Sequence, residues 1–180
     1  MAEQNPVFGV TGWKNSGKTT LVSRLVAEIT ARGFCVSTVK HAHHNFDIDQ
    51  KGRDSYAHRE AGAQEVALVS GRRWALMHEL RGDEEPSLEE VLAKLSPCDL
   101  VIVEGYKRET HPKIEARRVG SKSDRPLAPE DPSIVAIACD TSLVGETLPV
   151  FHNDDISGMA DFALKQCDLP LHKPQDRAVS

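Results

Sequence analysis

Apolar positions along the chain alternate between short strand-like runs and stretches with a helical period, the pattern of a mostly parallel α/β sheet. Val7-Phe8-Gly9-Val10-Thr11 reads as a short buried strand, and Leu21, Val22, Leu25, Val26 and Ile29 then fall on one face of a helix. That helix is predicted over residues 17–32, ending at Gly33, a suitable residue for the C′ position. Residues 35–39 form a second strand that delivers Lys40 and His41 at its C-terminal end. A polar stretch over 43–53 follows, and Asp54 or Ser55 caps a short helix through Glu60. Residues 65–70 and 73–80 predict two strands around Gly71-Arg72, a hairpin-like turn. After Pro86, Ser87-x-x-Glu90 is a capping box that opens a helix to Leu95.

The second half is more strongly patterned. Leu100-Val101-Ile102-Val103 is a continuous apolar run, expected of a central strand covered on both faces, and it ends in Glu104-Gly105. Residues 113–118 alternate like an edge strand, and 125–132 is a proline-rich loop. Residues 134–138 predict another buried strand, followed by Asp140; Val150-Phe151 is a short one. A last helix starts near Asn153 or Asp154 and reaches Gln166, and the proline-punctuated tail over 169–180 is expected to be disordered. No repeat or linker divides the chain, so residues 1–168 are expected to form a single domain.

The turn between the first strand and the first helix carries the chemistry. Gly12-Trp13-Lys14-Asn15-Ser16-Gly17-Lys18-Thr19 is a P-loop pattern in the strand–turn–helix context where it has physical meaning. Backbone N–H groups of such a turn point inward at an anion, and the free N–H groups of the helix start add positive potential. Lys18 can reach the β- and γ-phosphates, Thr19 can ligate Mg²⁺, and Thr20 can help hold the α-phosphate. Trp13 either covers a base, fills a dimer contact or is simply half-buried. Lys14 is one place out of register with the signature lysine of dimerising, Mind-like P-loop proteins; it touches phosphate or stays solvated.

Ligands of open parallel sheets gather at the C-terminal ends of strands. Three such ends carry chemistry here: the P-loop, Lys40-His41 and Glu104-Gly105. An apolar run followed by an acid is the Walker-B arrangement, which suits Glu104 to hold a magnesium-bound water or polarise an attacking one. The alternative for Glu104 is a pairing with a lysine such as Lys107; Asp99, at the other end of the strand, is structural. Asp47 and Asp49 lie on one side of an extended segment, where either can approach Mg²⁺. His41, His43 and His44 admit a transition-metal reading, or a place in a nucleotide-dependent switch or partner surface. Base choice is poorly encoded. Ser121-Lys122-Ser123-Asp124 imitates a guanine-reading motif on an unsuitable strand, and Asp140 lies nearer to where a base contact falls.

Composition narrows the partners. A formal net charge of −5 over 180 residues argues against a nucleic-acid or anionic-membrane surface. No apolar stretch is long enough to span a bilayer, and the N-terminus lacks the basic and apolar parts of an export signal, so a cytoplasmic location is expected. Cys35, Cys98, Cys139 and Cys167 are widely spaced and read as reduced thiols, at least two of them in buried strands.

Taken together, residues 12–20, Val39-Lys40-His41-Ala42-His43-His44, Asp47-Ile48-Asp49, Gly52-Arg53-Asp54-Ser55-Tyr56, Arg73-Trp74-Ala75-Leu76-Met77 and Val103-Glu104-Gly105-Tyr106-Lys107 closely resemble the molybdopterin-guanine dinucleotide biosynthesis protein B (MobB) family. The resemblance covers roughly residues 6–166. It implies a P-loop nucleoside triphosphate hydrolase fold with an added β-hairpin, and a homodimer that binds GTP and Mg²⁺ with weak GTPase activity. It also implies an adapter role beside the molybdenum cofactor guanylyltransferase and other cofactor-maturation proteins. By that resemblance Gly12, Trp13, Lys14, Asn15, Ser16, Gly17, Lys18, Thr19 and Thr20 form the nucleotide loop, and Lys18 and Glu104 carry catalysis. Thr19 and Glu104 map onto the Mg²⁺ site by the same resemblance, which leaves the histidines, Asp47, Asp49 and Asp54 without an assigned role. Asp49 is added as a candidate Mg²⁺ ligand from the extended-segment reading alone. Two other classes stay open: a nickel- or zinc-handling GTPase using the histidines, and a small-molecule kinase with Arg117 and Arg118 over the phosphates.

Overall fold

The computed structural model describes residues 5–42, 49–118 and 125–173. The elements in chain order begin β1 (Val7–Thr11), α1 (Lys18–Ala31), β2 (Val36–Lys40), α2 (Asp54–Glu60), β3 (Glu65–Val69) and β4 (Trp74–His78). They continue α3 (Leu88–Leu92), β5 (Leu100–Glu104), β6 (Lys113–Ala116), β7 (Ile134–Cys139), β8 (Val150–His152) and α4 (Ile156–Gln166). The backbone forms two compact units, one of residues 1–41 with 88–180 and the other of the intervening residues 42–87.

The larger unit is built on a six-stranded sheet in the order β2-β5-β1-β6-β7-β8, with every neighbouring pair parallel. Period-two alternation divides its side chains between two faces. Phe8, Val10, Leu100, Ile102, Ile114 and Ala136 pack with Leu21, Leu25 and Ile29 of α1 and with Met159, Ala163 and Leu164 of α4. Val39, Val101 and Val103 pack on the other face with Leu88 of α3, supported by Val91 and Leu92. Burial on both faces explains why β5 is apolar at consecutive positions. Each fully buried Leu, Ile or Val contributes about 1.5–3 kcal/mol relative to exposure, so this layer dominates the unit's stability. In the smaller unit, β3 and β4 form an antiparallel hairpin, closed by Ser70 N–H donating to Arg73 O at 3.0 Å around Gly71-Arg72.

Several expectations are corrected. The segment 113–118 is no edge: β6 lies between β1 and β7, and all four of its residues are buried. Its polar positions face a loop network instead of water. Lys113 Nζ donates to Glu109 O and Lys107 O and pairs with Asp131, while Glu115 accepts from Leu127 N and Ala128 N. The N-cap of α2 is Arg53, without a side-chain cap, so neither Asp54 nor Ser55 caps it. Helix α3 stops at Leu92, and Lys94 and Leu95 tighten into i→i−3 turns. Of the four thiols only Cys139 is in a buried strand; Cys35 is exposed just before β2, and all four are free. Residues 169–173 are anchored: Lys173 N donates to Arg32 O, and its ammonium lies 2.7 Å from Asp99. That contact gives Asp99 the structural role expected of it, and hydrogen bonding from Lys173 holds its carboxyl below the usual carboxylate range.

Candidate functional site

The site begins where β1 ends. The backbone turns away from Thr11 at Gly12, whose φ of +144° suits glycine; a Cβ there would meet Ala116 O at 2.5 Å and Ser16 Oγ at 2.6 Å. Gly17 closes the loop as the N-cap of α1 with φ +92° and no side-chain cap, leaving the first N–H groups of the helix to an anion. Asn15, also left-handed, and Lys14 are exposed, and Ser16 Oγ is buried without a hydrogen-bond partner among the described residues. Lys18 folds back so that its ammonium donates to Trp13 O at 2.6 Å. Trp13 is held in turn: its indole N–H donates to Arg125 O at 2.7 Å, and Lys107 Nζ sits 4.0 Å above its ring. A cation over a ring face at that distance is attractive, so the tryptophan ties the loop to the chain on either side of β6.

The second strand end closes on the first. Glu104, last residue of β5, is in register with Val10 of β1 and Lys40 of β2, so pairing on both sides brings three strand ends together. Thr19, in the first turn of α1, donates its hydroxyl to Glu104 Oε1 at 2.8 Å. Lys40 Nζ lies 3.2 Å from the same carboxylate oxygen and 3.3 Å from Thr19 Oγ1. The acid's alternative lysine partner is therefore Lys40, and Lys107 goes to Trp13. Burial pulls the Lys18 ammonium below the usual lysine range, and Lys107 and Lys40 add repulsion that Glu104 partly offsets. The Lys18 ammonium, set beside the free N–H groups at the start of α1, favours an anion. Thr19 and Glu104 supply hard oxygen donors of the kind magnesium takes, and they stand together at the helix start.

Beside the loop, a pocket of about 240 Å³ is lined by Thr20, Leu21, Arg24, Arg118, Asp140 and Asn153 among others. It adjoins the start of α1 on the side of β7 and β8.

The family model for molybdopterin guanine dinucleotide synthesis protein B (MobB) matches residues 7–140. The chain belongs to the MobB family. It is 35% identical over 162 residues to the molybdopterin-guanine dinucleotide biosynthesis adapter protein of Escherichia coli K12, covering 89% of this chain and 92% of that one. It is 40% identical over 141 residues to the Haemophilus influenzae adapter protein, covering 77% and 76%. The crystal structure of Bacillus subtilis MobB superposes with a TM-score of 0.70 at 25% identity, over 90% of this chain and 98% of that one. Like other MobB structures, this one has the P-loop nucleoside triphosphate hydrolase fold, with the hairpin as a small second sheet.

Within this MobB-family site, the P-loop unit brings together Lys18, Thr19 and Glu104 of the residues taken from sequence, and Thr20 lines the pocket. Asp49 belongs to the unit of residues 42–87, where its Oδ1 accepts from Ser55 Oγ at 2.8 Å and from Gln50 N. His41 donates its backbone N–H to Glu104 O and tilts its ring against Tyr106. His43, His44, Asp47 and the motif at 121–124 lie outside the described residues. Among the described residues no group of three His, Cys, Asp or Glu side chains converges as a metal set, and no helix is long and apolar enough to cross a membrane. Arg117 is committed to Glu146 at 2.7 Å and Glu115 at 2.8 Å, which removes it as a phosphate clamp, whereas Arg118 lines the pocket. Sequence reasoning named Lys40 as a strand-end residue but assigned it no role. Its partner was not readable because nothing local says that β2 lies beside β5.

Proposed function

We propose that this chain binds GTP with Mg²⁺ and acts, as a homodimer in the cytoplasm, as an adapter in molybdopterin guanine dinucleotide synthesis. Family membership and relatives named as biosynthesis adapter proteins support the pathway. The observation that carries nucleotide binding is the contact of Thr19 with Glu104 at the mouth of the P-loop, 2.8 Å across two elements 85 residues apart. A helix cap alone has no need of that acid.

In this reading loop N–H groups and Lys18 hold the β- and γ-phosphates, and Thr20 faces the α-phosphate. Magnesium, when bound through Thr19 and Glu104, would neutralise charge on the β- and γ-phosphates. Glu104 then orients a water, and the fixed loop dipoles supply stabilisation without reorganising. The base enters the pocket beside α1, where the Asp140 carboxylate can accept from the N1–H and 2-amino groups of guanine, donors that adenine does not present together.

The adapter role is tested by immobilising a molybdenum cofactor guanylyltransferase and passing over it this protein loaded with Mg·GTP, GDP or no nucleotide. Retention dependent on the loaded nucleotide is expected. No retention under any condition, with GTP bound, would contradict the adapter assignment.

A further inference from the structure

The Thr19 hydroxyl has one proton to give and lone pairs to offer. The proton goes to Glu104 Oε1 at 2.8 Å, and a lone pair receives the Lys40 ammonium at 3.3 Å. The same ammonium is 3.2 Å from the oxygen that Thr19 bonds. A divalent cation held by this hydroxyl needs that lone pair, because the O–H bond is already aimed at the acid. Lysine and metal thus make overlapping demands on the same two oxygens. The register of β2 against β5, which pairs Lys40 with Glu104, keeps the competitor at hand. Its side chain is 56% exposed, so it has water to swing into, whereas the acid beside it is 10% exposed and fixed.

We infer that Lys40 is a built-in competitor of the divalent cation, a tethered ammonium that neutralises Glu104 and must leave the Thr19 hydroxyl before a metal can use it. This rests on the proposed magnesium–nucleotide reading and adds a consequence. Metal entry breaks an ion pair and brings two positive charges beside Lys18 and Lys40, so the site loads fully only when the triphosphate supplies the opposing charge. Lys40 thereby makes metal binding depend on nucleotide. A lysine that instead served as a phosphate ligand would act on nucleotide affinity whether or not metal was present.

The discriminating experiment uses Lys40→Met and Lys40→Arg in the full chain. Mn²⁺ binding is read by electron paramagnetic resonance on GTP-loaded protein, and fluorescent-GTP affinity is read in EDTA. For Lys40→Met the Mn²⁺ concentration at half-saturation should fall about two- to fivefold, the range for releasing one partly exposed ion pair. Affinity for GTP in EDTA should stay within about twofold of wild type under the same screening argument. Lys40→Arg, which keeps a cation at that place, should retain the wild-type Mn²⁺ dependence. Unchanged or weaker Mn²⁺ binding by Lys40→Met would overturn the inference. A large loss of GTP affinity in EDTA would overturn it too, in favour of a phosphate contact. If wild-type protein bound no GTP at all, the nucleotide reading would fail and this inference with it.

Discussion

At the scale of single residues, the chemistry of this chain depends on what each polar side chain has already given away. Lys18 donates one of its three N–H groups to the Trp13 carbonyl and braces the loop it serves. Thr19 gives its proton to Glu104, so what remains is a lone pair, the property a metal ligand needs. His111 illustrates the opposite case. Its Nε2 is buried without a hydrogen-bond partner among the described residues, packed where a Cβ on Gly9 would stand 2.5 Å away. Burial, with added repulsion from Lys113 against a weaker pull from Asp131, lowers its pKa from 6.5 to about 4. A depressed folded-state pKa means the unfolded chain binds the extra proton first. The contribution to stability is therefore complete above pH 6.5 and lost as pH falls toward about 4. Urea titrations across this window should show a decline on the order of 2 kcal/mol beyond that of a His111→Gln variant; identical pH profiles would refute the burial account.

At the scale of elements, legibility follows how local the governing physics is. The P-loop was readable because strand, turn and helix start are contiguous, and its two glycines mark positive-φ turns that only local sterics dictate. Strand β5 was readable because burial on both faces leaves no polar position, and Gly71-Arg72 named its own hairpin. Strand β6 was misread for the complementary reason. Alternating Lys113, Ile114, Glu115 and Ala116 looks the same whether its polar side meets water or a buried hydrogen-bond network, and only the loops over 105–112 and 125–133 decide. Those loops are held by the misread residues, Glu115 fixing two backbone N–H groups of the second and Lys113 two carbonyls of the first. Glu115→Ala should therefore destabilise the protein by about 3 kcal/mol, because it strands those donors and takes from the Arg117 guanidinium one of its two carboxylate partners. Chemical denaturation measures this. A loss below about 0.5 kcal/mol, usual for a solvated edge residue, would restore the edge-strand reading.

At the scale of the whole molecule, the hairpin carries apolar surface that its own unit does not cover. Val69 and Trp74 are directly paired across it, at 80% and 70% exposure, and Leu76 on the same side is also exposed. Such a stripe on a hairpin suits an interaction surface, and the homodimer proposed above would cover it. Light scattering of wild-type protein should give about twice the 19.8 kDa chain mass. Trp74→Glu should shift it to the monomer without changing the far-ultraviolet circular dichroism. A variant that stays dimeric would move the interface elsewhere. No residue-level pattern could have fixed that partner, since exposure is decided by which neighbours the finished fold leaves out.

All three scales meet at the claim that loop, threonine and acid form one nucleotide site. Isothermal titration of the wild-type protein and Lys18→Ala with GTP in magnesium tests it most directly. Removing the lysine's charge-assisted phosphate bonds should weaken binding by about tenfold to a hundredfold. Undiminished GTP binding by Lys18→Ala would contradict the site.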